Sequence, residues 1–322
     1  MTKAERRRRR RRRALIRAVV RLLILLFLIF LLILLLIFSL NHLRKKGLRK
    51  SADKGKVAAL LKSQVAEKMA DSGEKAKNTG KEIENTKIEN IDVLDNTVQG
   101  WGADGQVDKE NRPMAALQMQ EKYGEEYPVF FIGEKTEPPV IYLTFDLDYE
   151  NGYTASVLDT LKEKDVKAVF FVTGYYAKQA PDLVERMIEE GQAVGNHCMS
   201  HPSDEEEMQE ISEEDIMGLH SYIYDSYGYS MHLFRFPSGE WSERGMAIAN
   251  NCNYKILFYD YAYKDYDPND QMNPDEALEK ALDALHPGAI YLFHINGETN
   301  PQILGDFIDQ TRAEGYEIAL FE

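Results

Sequence analysis

Cysteine is scarce in this chain, which has two, Cys198 and Cys252, among 322 residues. They lie far apart in the sequence, and their spacing does not indicate a disulfide pairing. We therefore expect two unpaired, buried thiols. Any core must come from apolar packing, for which a composition with 44% hydrophobic residues is sufficient.

Positive charge is scarce after residue 50. Residues 1–50 contain 16 of the 39 basic residues and one of the 53 acidic residues, so the rest has 23 basic and 52 acidic residues, a net charge of −29. A surface of this sign repels nucleic acid phosphates, so we expect no nucleic-acid binding by this part. The eight consecutive arginines at Arg6–Arg13 are explained instead by membrane topology and contact with lipid.

One long apolar run is present, at residues 22–40, in which only Ser39 is polar. As a helix, nineteen residues rising by about 1.5 Å each span a hydrocarbon core of about 30 Å. A cleavable signal sequence has a shorter apolar region and small residues at its cleavage site, unlike residues 41–44. Eleven Lys and Arg residues precede the run and five follow it in residues 41–50. This bias predicts a single-pass cell-membrane protein that contacts the lipid bilayer through 22–40, with a cytoplasmic tail (1–21) and an extracytoplasmic remainder.

Aromatic residues are absent from residue 44 to residue 96, where Lys, Glu, Asn, Asp and Ala dominate. Apolar spacing allows a short helix at residues 57–69, but the rest is too polar to form a core. We interpret residues 41–96 as a flexible polar stalk that lets the following domain reach away from the membrane.

From residue 97 to residue 322 the sequence alternates between strand-like and helix-like segments. This alternation of seven strands and six helices is typical of an α/β fold with parallel strands, either a barrel or an open sheet. The predicted strands are 140–145, 168–173, 193–196, 233–236, 254–258, 289–293 and 317–321, and the predicted helices are 154–164, 181–190, 206–227, 242–251, 275–285 and 301–314.

Charged and imidazole side chains lie at or just after several of these strands. In a parallel α/β fold the C-terminal strand ends open on one face, where ligands bind. Taken singly, each of these residues is more often a surface or packing residue than a functional one. Their shared position favours a common site, and the His-x-x-x-His pair has a spacing that suits a metal ion. They are Asp146, Asp148, His197, His201, Arg235, Asp265 and His294.

The motifs around these residues resemble the polysaccharide deacetylase family, metal-dependent carbohydrate esterases with a distorted (β/α) barrel. The shared motifs are TFD at 144–146, NH-x-x-SHP at 196–202, R-x-P-x-G at 235–239 and the apolar segment that ends at His294. The closer resemblance is to the branch that forms muramic δ-lactam in spore peptidoglycan, through YLTFD-x-x-YENGYT, FFVTG, VGNH-x-x-SHP and HPGAI-x-L-x-H. It covers the chain from about residue 100 to the end.

The resemblance implies a role for each matched residue. His197 and His201 bind a divalent metal, expected to be zinc, which polarises an acetamide carbonyl. Asp146 is the general base, and Arg235 pairs with it. His294 is the general acid, and Asp265 orients it. The backbone N–H of Ser238, beside Gly239, is the oxyanion donor that contacts the substrate.

The sequence departs from the family at Leu147. The residue after the base is usually Asp, or Asn in the δ-lactam branch, and is the third metal ligand. Leucine cannot bind a metal, and two histidines alone hold an ion weakly. Three alternatives stay open: Asp148 replaces the ligand, a water or substrate oxygen fills the place, or the metal is lost. Our hypothesis is replacement by Asp148.

The expected function is N-deacetylation of amino sugars in cell-wall peptidoglycan, with N-acetylmuramic acid as the favoured sugar. A second hypothesis is a glycan-binding protein on the same fold that has lost catalysis through Leu147, because fold does not imply function. A third is a structural anchor that acts through its stalk and arginine-rich tail.

Overall fold

The computed structural model describes residues 85–103, 105–202, 208–209 and 211–322. The predicted cytoplasmic tail (1–21), the predicted transmembrane helix (22–40) and the stalk as far as residue 84 lie outside the described residues. Among the helices of the described part, none has both the length and the apolar character that a bilayer span requires.

A parallel β-sheet forms the centre of the described part. Its strands are β2 (Val129–Phe130), β3 (Val140–Leu147), β4 (Val169–Val172), β5 (Ala193–Asn196), β6 (Leu233–Phe234), β8 (Lys255–Leu257), β9 (Ile290–His294) and β10 (Glu317–Ala319). The spatial order is β10-β3-β4-β5-β6-β8-β2, with β9 also paired to β3. A separate antiparallel pair consists of β1 (Gln99–Gly100) and β7 (Glu240–Trp241).

The strands curl into a half-barrel, which confirms the predicted parallel α/β fold. After β8 the chain turns towards β9, and Tyr261 forms a single parallel bridge with Tyr291. There the N–H of Leu292 donates to the carbonyl of Tyr261 at 2.9 Å, and the N–H of Asp260 donates to the carbonyl of Ile290 at 3.1 Å. We call this narrow contact the seam. It links the two sides of the curled sheet, whereas the other neighbouring strands are joined as strand pairs.

All seven predicted strands are present, and β1, β2 and β7 are additions. Each has only two residues, too few for an alternating pattern to be visible in the sequence. The helices are α1 (Met114–Tyr123), α2 (Thr154–Glu163), α3 (Gly174–Gln179), α4 (Pro181–Glu189), α5 (Glu213–Tyr227), α6 (Glu243–Asn251), α7 (Pro274–Asp283) and α8 (Thr299–Ala313). Of these, α1 and α3 were not predicted, because α1 buries only Ala116 and Tyr123 and α3 has six residues.

Local sequence explains where several helices begin. Ser212 and Ser242 precede α5 and α6, and each side-chain oxygen accepts a hydrogen bond from the backbone three residues later. Asn273 caps α7 in a similar way, through the N–H of Asp275 at 2.9 Å. The helix predicted from residue 206 is therefore observed as α5 from Glu213, whereas residues 203–207 and 210 lie outside the described part.

Side-chain alternation along β3 separates an apolar face from a polar face. The odd-numbered residues pack with the helices in the large outer core, and Leu147 is 1% exposed there. Tyr142 packs instead against a smaller cluster inside the curl, formed by Val169, Phe171, Leu233, Leu257, Ile290 and Phe321. Thr144 and Asp146 share the face of Tyr142 because successive side chains point to opposite sides of a strand. The inner face of β3 thus changes from apolar to polar towards its C-terminal end.

Residues 85–96, which were predicted to belong to the stalk, pack on the same domain. The side-chain amide of Asn85 donates to the carbonyls of Asn250 at 3.2 Å and Tyr254 at 3.0 Å. The N–H of Ile88 donates to Oδ1 of Asn251 at 2.8 Å. By these contacts the folded domain includes residues upstream of residue 97.

Replacing Leu147 should reveal its packing role. We expect Leu147→Ala to lower the free energy of unfolding by about 2–5 kcal/mol, because it leaves a cavity in a close-packed core. Urea denaturation followed by circular dichroism measures this change. Val93→Ala is the control, since Val93 is 83% exposed and should change stability by less than about 0.5 kcal/mol. Equal stability of both variants would contradict the packing role.

Candidate active site

Asp146 lies at the polar end of β3 and forms a buried ion pair with Arg235, which follows β6. Nη1 of Arg235 donates to Oδ1 of Asp146 at 2.9 Å and to Oγ1 of Thr144 at 2.7 Å. The other donors of the guanidinium reach the carbonyls of Leu257 and Phe258, at 2.9 and 3.0 Å. Each nitrogen of this buried cation therefore has a hydrogen-bond partner, as burial of a charge requires.

The charge of Arg235 keeps Asp146 ionised. Burial raises the pKa of Asp146, but Arg235, with smaller contributions from His197 and His294, lowers it below the ordinary value of 3.8. The guanidinium carbon also lies 4.3 Å from the ring centroid of Phe171, in the apolar cluster inside the curl. The ion pair thus lies between that cluster and the open end of the half-barrel, where an ionised carboxylate can accept a proton.

His197 follows β5 and is oriented by the backbone. Its Nδ1 lies 2.9 Å from the carbonyl oxygen of Arg235, so Nδ1 carries the proton and Nε2 has a free lone pair. Burial lowers the pKa of His197, which favours the neutral ring. Its Nε2 lies 3.6 Å from Oδ2 of Asp146 and 4.0 Å from Oδ1 of Asp148.

Asp148, His197 and His201 form a possible metal site. One potential ligand atom from each residue lies within 4.8 Å of the others, and Nε2 of His201 is 3.2 Å from Oδ1 of Asp148. That oxygen is buried and has no hydrogen-bond partner in the described part. Two imidazole nitrogens and a carboxylate oxygen fit the donor set of a catalytic zinc site with an open position. The residues present therefore fit a divalent cation.

The strand pattern explains why Asp148, and not Leu147, joins the histidines. Residues 146 and 148 follow the same side of β3, whereas the side chain of Leu147 lies in the outer core. The loop after His197 adopts left-handed backbone at Cys198 (φ 66°) and His201 (φ 56°), which turns the second imidazole back towards β3. Neither Cys198 nor Cys252 forms a disulfide, which confirms the prediction of unpaired thiols, but only Cys198 is buried, whereas Cys252 is half-buried.

His294 ends β9 and forms a pair with Asp265. Its Nδ1 lies 2.7 Å from Oδ1 of Asp265, and its backbone N–H donates to Oδ2 of the same carboxylate at 2.8 Å. Burial lowers the pKa of His294, but the charge and hydrogen bond of Asp265 outweigh this effect and raise it to about 9. The ring is therefore protonated at neutral pH and can donate a proton.

The two halves of the site meet across neighbouring strands. Asp146 and His294 are partners in the β3–β9 register, so the carboxylate paired with Arg235 and the protonated imidazole occupy one end of the sheet. Ser238 and Gly239 form a turn after Arg235, with φ angles of 57° and 66°. Ser238 is exposed, whereas Gly239 is buried, and a side chain there would come within 2.9 Å of the Tyr259 hydroxyl.

Several residues that support this site were not predicted from the sequence. Thr144 donates to the carbonyl of Tyr291 at 2.7 Å while it accepts from Arg235, so it joins β9 to the ion pair. Asn300, in the first turn of α8, contacts Asp265, and Tyr263 contacts Asn300. The signal for Thr144 is its place two residues before Asp146, on the same strand face. No comparable pattern marks Asn300.

Comparison with known proteins identifies the family to which this chain belongs. The family profile described as polysaccharide deacetylase matches residues 133–257. The peptidoglycan-N-acetylmuramic acid deacetylase PdaA of Bacillus subtilis (strain 168) is 33% identical over 226 residues, which cover 70% of this chain and 85% of that protein. The chain belongs to the polysaccharide deacetylase family. Its homologues in this family are deacetylases, hydrolases of amide bonds on sugars.

Solved structures agree with this assignment. The structure of Bacillus subtilis PdaA, a family 4 carbohydrate esterase, is similar with a TM-score of 0.65 and 32% identity, covering 70% of this chain and 96% of that one. A mutant of a family 4 pseudoenzyme with restored enzymatic activity, from Bacillus anthracis, has a TM-score of 0.52 and 25% identity over 60% of this chain and 69% of that one. Family 4 thus includes a protein of this fold that is a pseudoenzyme and that regains enzymatic activity on mutation.

Proposed function

We propose that this polysaccharide deacetylase is a membrane-anchored, zinc-dependent enzyme that removes acetyl groups from N-acetylmuramic acid in peptidoglycan. The observation that carries the proposal is the meeting of an ionised base, Asp146, a protonated acid, His294, and a potential cation site. The similarity to the PdaA protein supports the sugar. The apolar run at residues 22–40 supports anchoring, with the deacetylase domain outside the membrane, where peptidoglycan lies.

In the proposed mechanism, a divalent cation, when bound, supplies Lewis acidity to the acetamide carbonyl. Asp146 takes a proton from the attacking water while its charge is maintained by Arg235. The backbone N–H of Ser238 donates to the oxyanion that develops, the role that the family resemblance implies for it. The oxygen of the attacking water forms the new C–O bond to the carbonyl carbon. His294 then gives its proton to the leaving nitrogen as the C–N bond breaks, and the products are acetate and a free amino sugar.

Acetate release tests the proposed function. The full-length chain, purified in detergent and supplied with zinc, should release acetate from peptidoglycan glycan strands. Strands of chitooligosaccharide, which contain only N-acetylglucosamine, distinguish the sugar: we expect the muramic acid substrate to react faster. Release from neither substrate, with the fold intact by circular dichroism, would reject the proposal.

A glycan-binding protein without catalysis is the second candidate, favoured by Leu147 at the position of a family ligand. The existence of a family 4 pseudoenzyme supports this alternative. It predicts that the chain sediments with insoluble peptidoglycan equally well with and without a chelator, and that no acetate appears. The proposed enzyme requires acetate release that a chelator abolishes and added zinc restores.

The pH dependence of the rate should reflect His294. Its pKa of about 9 lies above the ordinary 6.5, so we expect the rate to fall as pH rises through about 9, when the acid loses its proton. The same shift stabilises the fold: the contribution is fully present below about 6.5 and is lost as pH rises through about 9. Rates measured between pH 6 and pH 10.5 should show this fall as the alkaline limb of the pH–rate profile. His294→Gln should lower kcat by about 10²–10⁴ and remove this limb, and an identical limb in that variant would contradict the assignment.

A further inference from the structure

Asn300 forms hydrogen bonds to both members of the His294–Asp265 pair. One side-chain nitrogen, Nδ2, donates to Oδ2 of Asp265 at 2.6 Å and to the backbone carbonyl of His294 at 2.9 Å. Asn300 is 4% exposed and Asp265 is 1% exposed. Water therefore does not compete for these donors, and the two hydrogens of the amide are both used within the site.

The orientation of this amide is chemically determined. Its Oδ1 accepts from the hydroxyl of Tyr263 at 2.6 Å. If the amide were flipped, Oδ1 would face a carboxylate oxygen and a carbonyl, neither of which can donate a hydrogen bond. Tyr263 is 7% exposed and supplies the donor that the unflipped arrangement requires. Tyr263 thus fixes Asn300 from the side opposite the site.

These hydrogen bonds leave one oxygen of the Asp265 carboxylate to contact the ring of His294. Its Oδ2 is occupied by the N–H of His294 and by Asn300, so Oδ1 remains for Nδ1 of the imidazole. Bonds to a carboxylate are charge-assisted and hold its plane firmly. With Nδ1 bonded to Asp265, the other ring nitrogen, Nε2, is the atom that remains for the leaving group.

We infer that Asn300, fixed by Tyr263, is a positioning residue that holds Asp265 against Nδ1 of His294 and thereby directs Nε2 to the substrate. Asn300 acts through Asp265 and contacts no reacting atom in this scheme. The kinetic part of its test rests on the proposed function, whereas the spectroscopic part does not.

The spectroscopic experiment uses the full-length chain in detergent with labelled histidine, and His294→Gln identifies the His294 signal. Above its pKa of about 9, where the ring of His294 is neutral, the wild type should carry the remaining ring proton on Nδ1. In Asn300→Ala we expect part of the population to move the proton to Nε2 and the pKa of His294 to fall towards 6.5, because Asp265 is no longer held. Asp146 and Asp148, the other two carboxylates whose charge raises the pKa of His294, are unchanged in this variant.

The kinetic experiment measures acetate release by the same proteins. We expect Asn300→Ala to lower kcat by about 10–100-fold, as removal of an orienting partner does, with KM nearly unchanged. Asn300→Asp has the same shape without the donors and should lose at least as much. Tyr263→Phe keeps the ring and should change kcat in the same direction by a smaller factor.

Asn250→Ala is the matched control, because Asn250 is an equally buried amide, 3% exposed, whose donors hold Thr86 and Asn251 instead. It should lower the melting temperature while leaving kcat and the His294 tautomer unchanged. The inference is overturned if Asn300→Ala behaves like this control, or if its His294 pKa stays or rises with the proton still on Nδ1. If the wild type releases no acetate, the proposed function fails and the spectra still decide the role of Asn300.

Discussion

Asp148→Ala should lower the affinity of the chain for zinc by more than about 100-fold, because two histidines would be left to hold the ion. In the wild type the carboxylate oxygen lies 3.2 Å from Nε2 of His201 and 4.0 Å from Nε2 of His197. A cation between these atoms would take one ligand atom from each of the three residues. Competition with a fluorescent zinc chelator measures the affinity without any assay of activity.

Asp182→Ala is the control for charge, because Asp182 is an exposed carboxylate on α4. It should bind zinc as the wild type does. An Asp148→Ala variant with wild-type affinity would reject Asp148 as the third ligand and leave that place to a water or a substrate oxygen. Failure of the wild type itself to bind zinc, cobalt or manganese would favour the glycan-binding alternative.

Asp146→Asn should lower kcat by about 10²–10⁴, the usual contribution of a general base. The amide keeps the shape of the carboxylate and can still accept a hydrogen bond from Arg235 through Oδ1, but it cannot take a proton from water. KM should change little, since the substrate is not bound through this proton transfer. Acetate release at saturating glycan, compared with the wild type at the same zinc concentration, gives the ratio.

This variant also needs a test of stability, because it leaves Arg235 as a buried cation without its counter-ion. Glu190→Gln is the control, because the Glu190 side chain is 13% exposed and pairs with Arg186 at 3.0 Å, away from the site. Both variants should lose stability in urea, yet only Asp146→Asn should lose kcat. Equal losses of kcat would mean that damage to the fold, and not loss of the base, explains the effect.

The residues at strand ends could be predicted because the sequence pattern marks where buried strands stop. Asp146, His197, Arg235 and His294 each end or follow such a strand, and parallel pairing brings them to one face. The geometry also supports the hypothesis for Asp148, since residues two apart share a strand face. The pairing of Asp146 with Arg235 came from the family resemblance, and the structure confirms it at 2.9 Å.

Other features could not be predicted for physical reasons. Asn300 enters the site from the start of a helix, where asparagine is common without any catalytic role. The strand β2 is too short to show a period, and the seam depends on one bridge between distant residues. Such contacts are tertiary, so a single sequence contains no local pattern that indicates them.

The seam has a consequence for the acid. Asp265 lies four residues after Tyr261, on one side of the bridge, and His294 lies three residues after Tyr291, on the other. Opening of the bridge would remove one of the contacts that hold the carboxylate beside the imidazole, whereas the hydrogen bond between Asp146 and Arg235 does not involve the bridge. Slow exchange of the Leu292 amide hydrogen, which donates to Tyr261 across the bridge, would report the closed state.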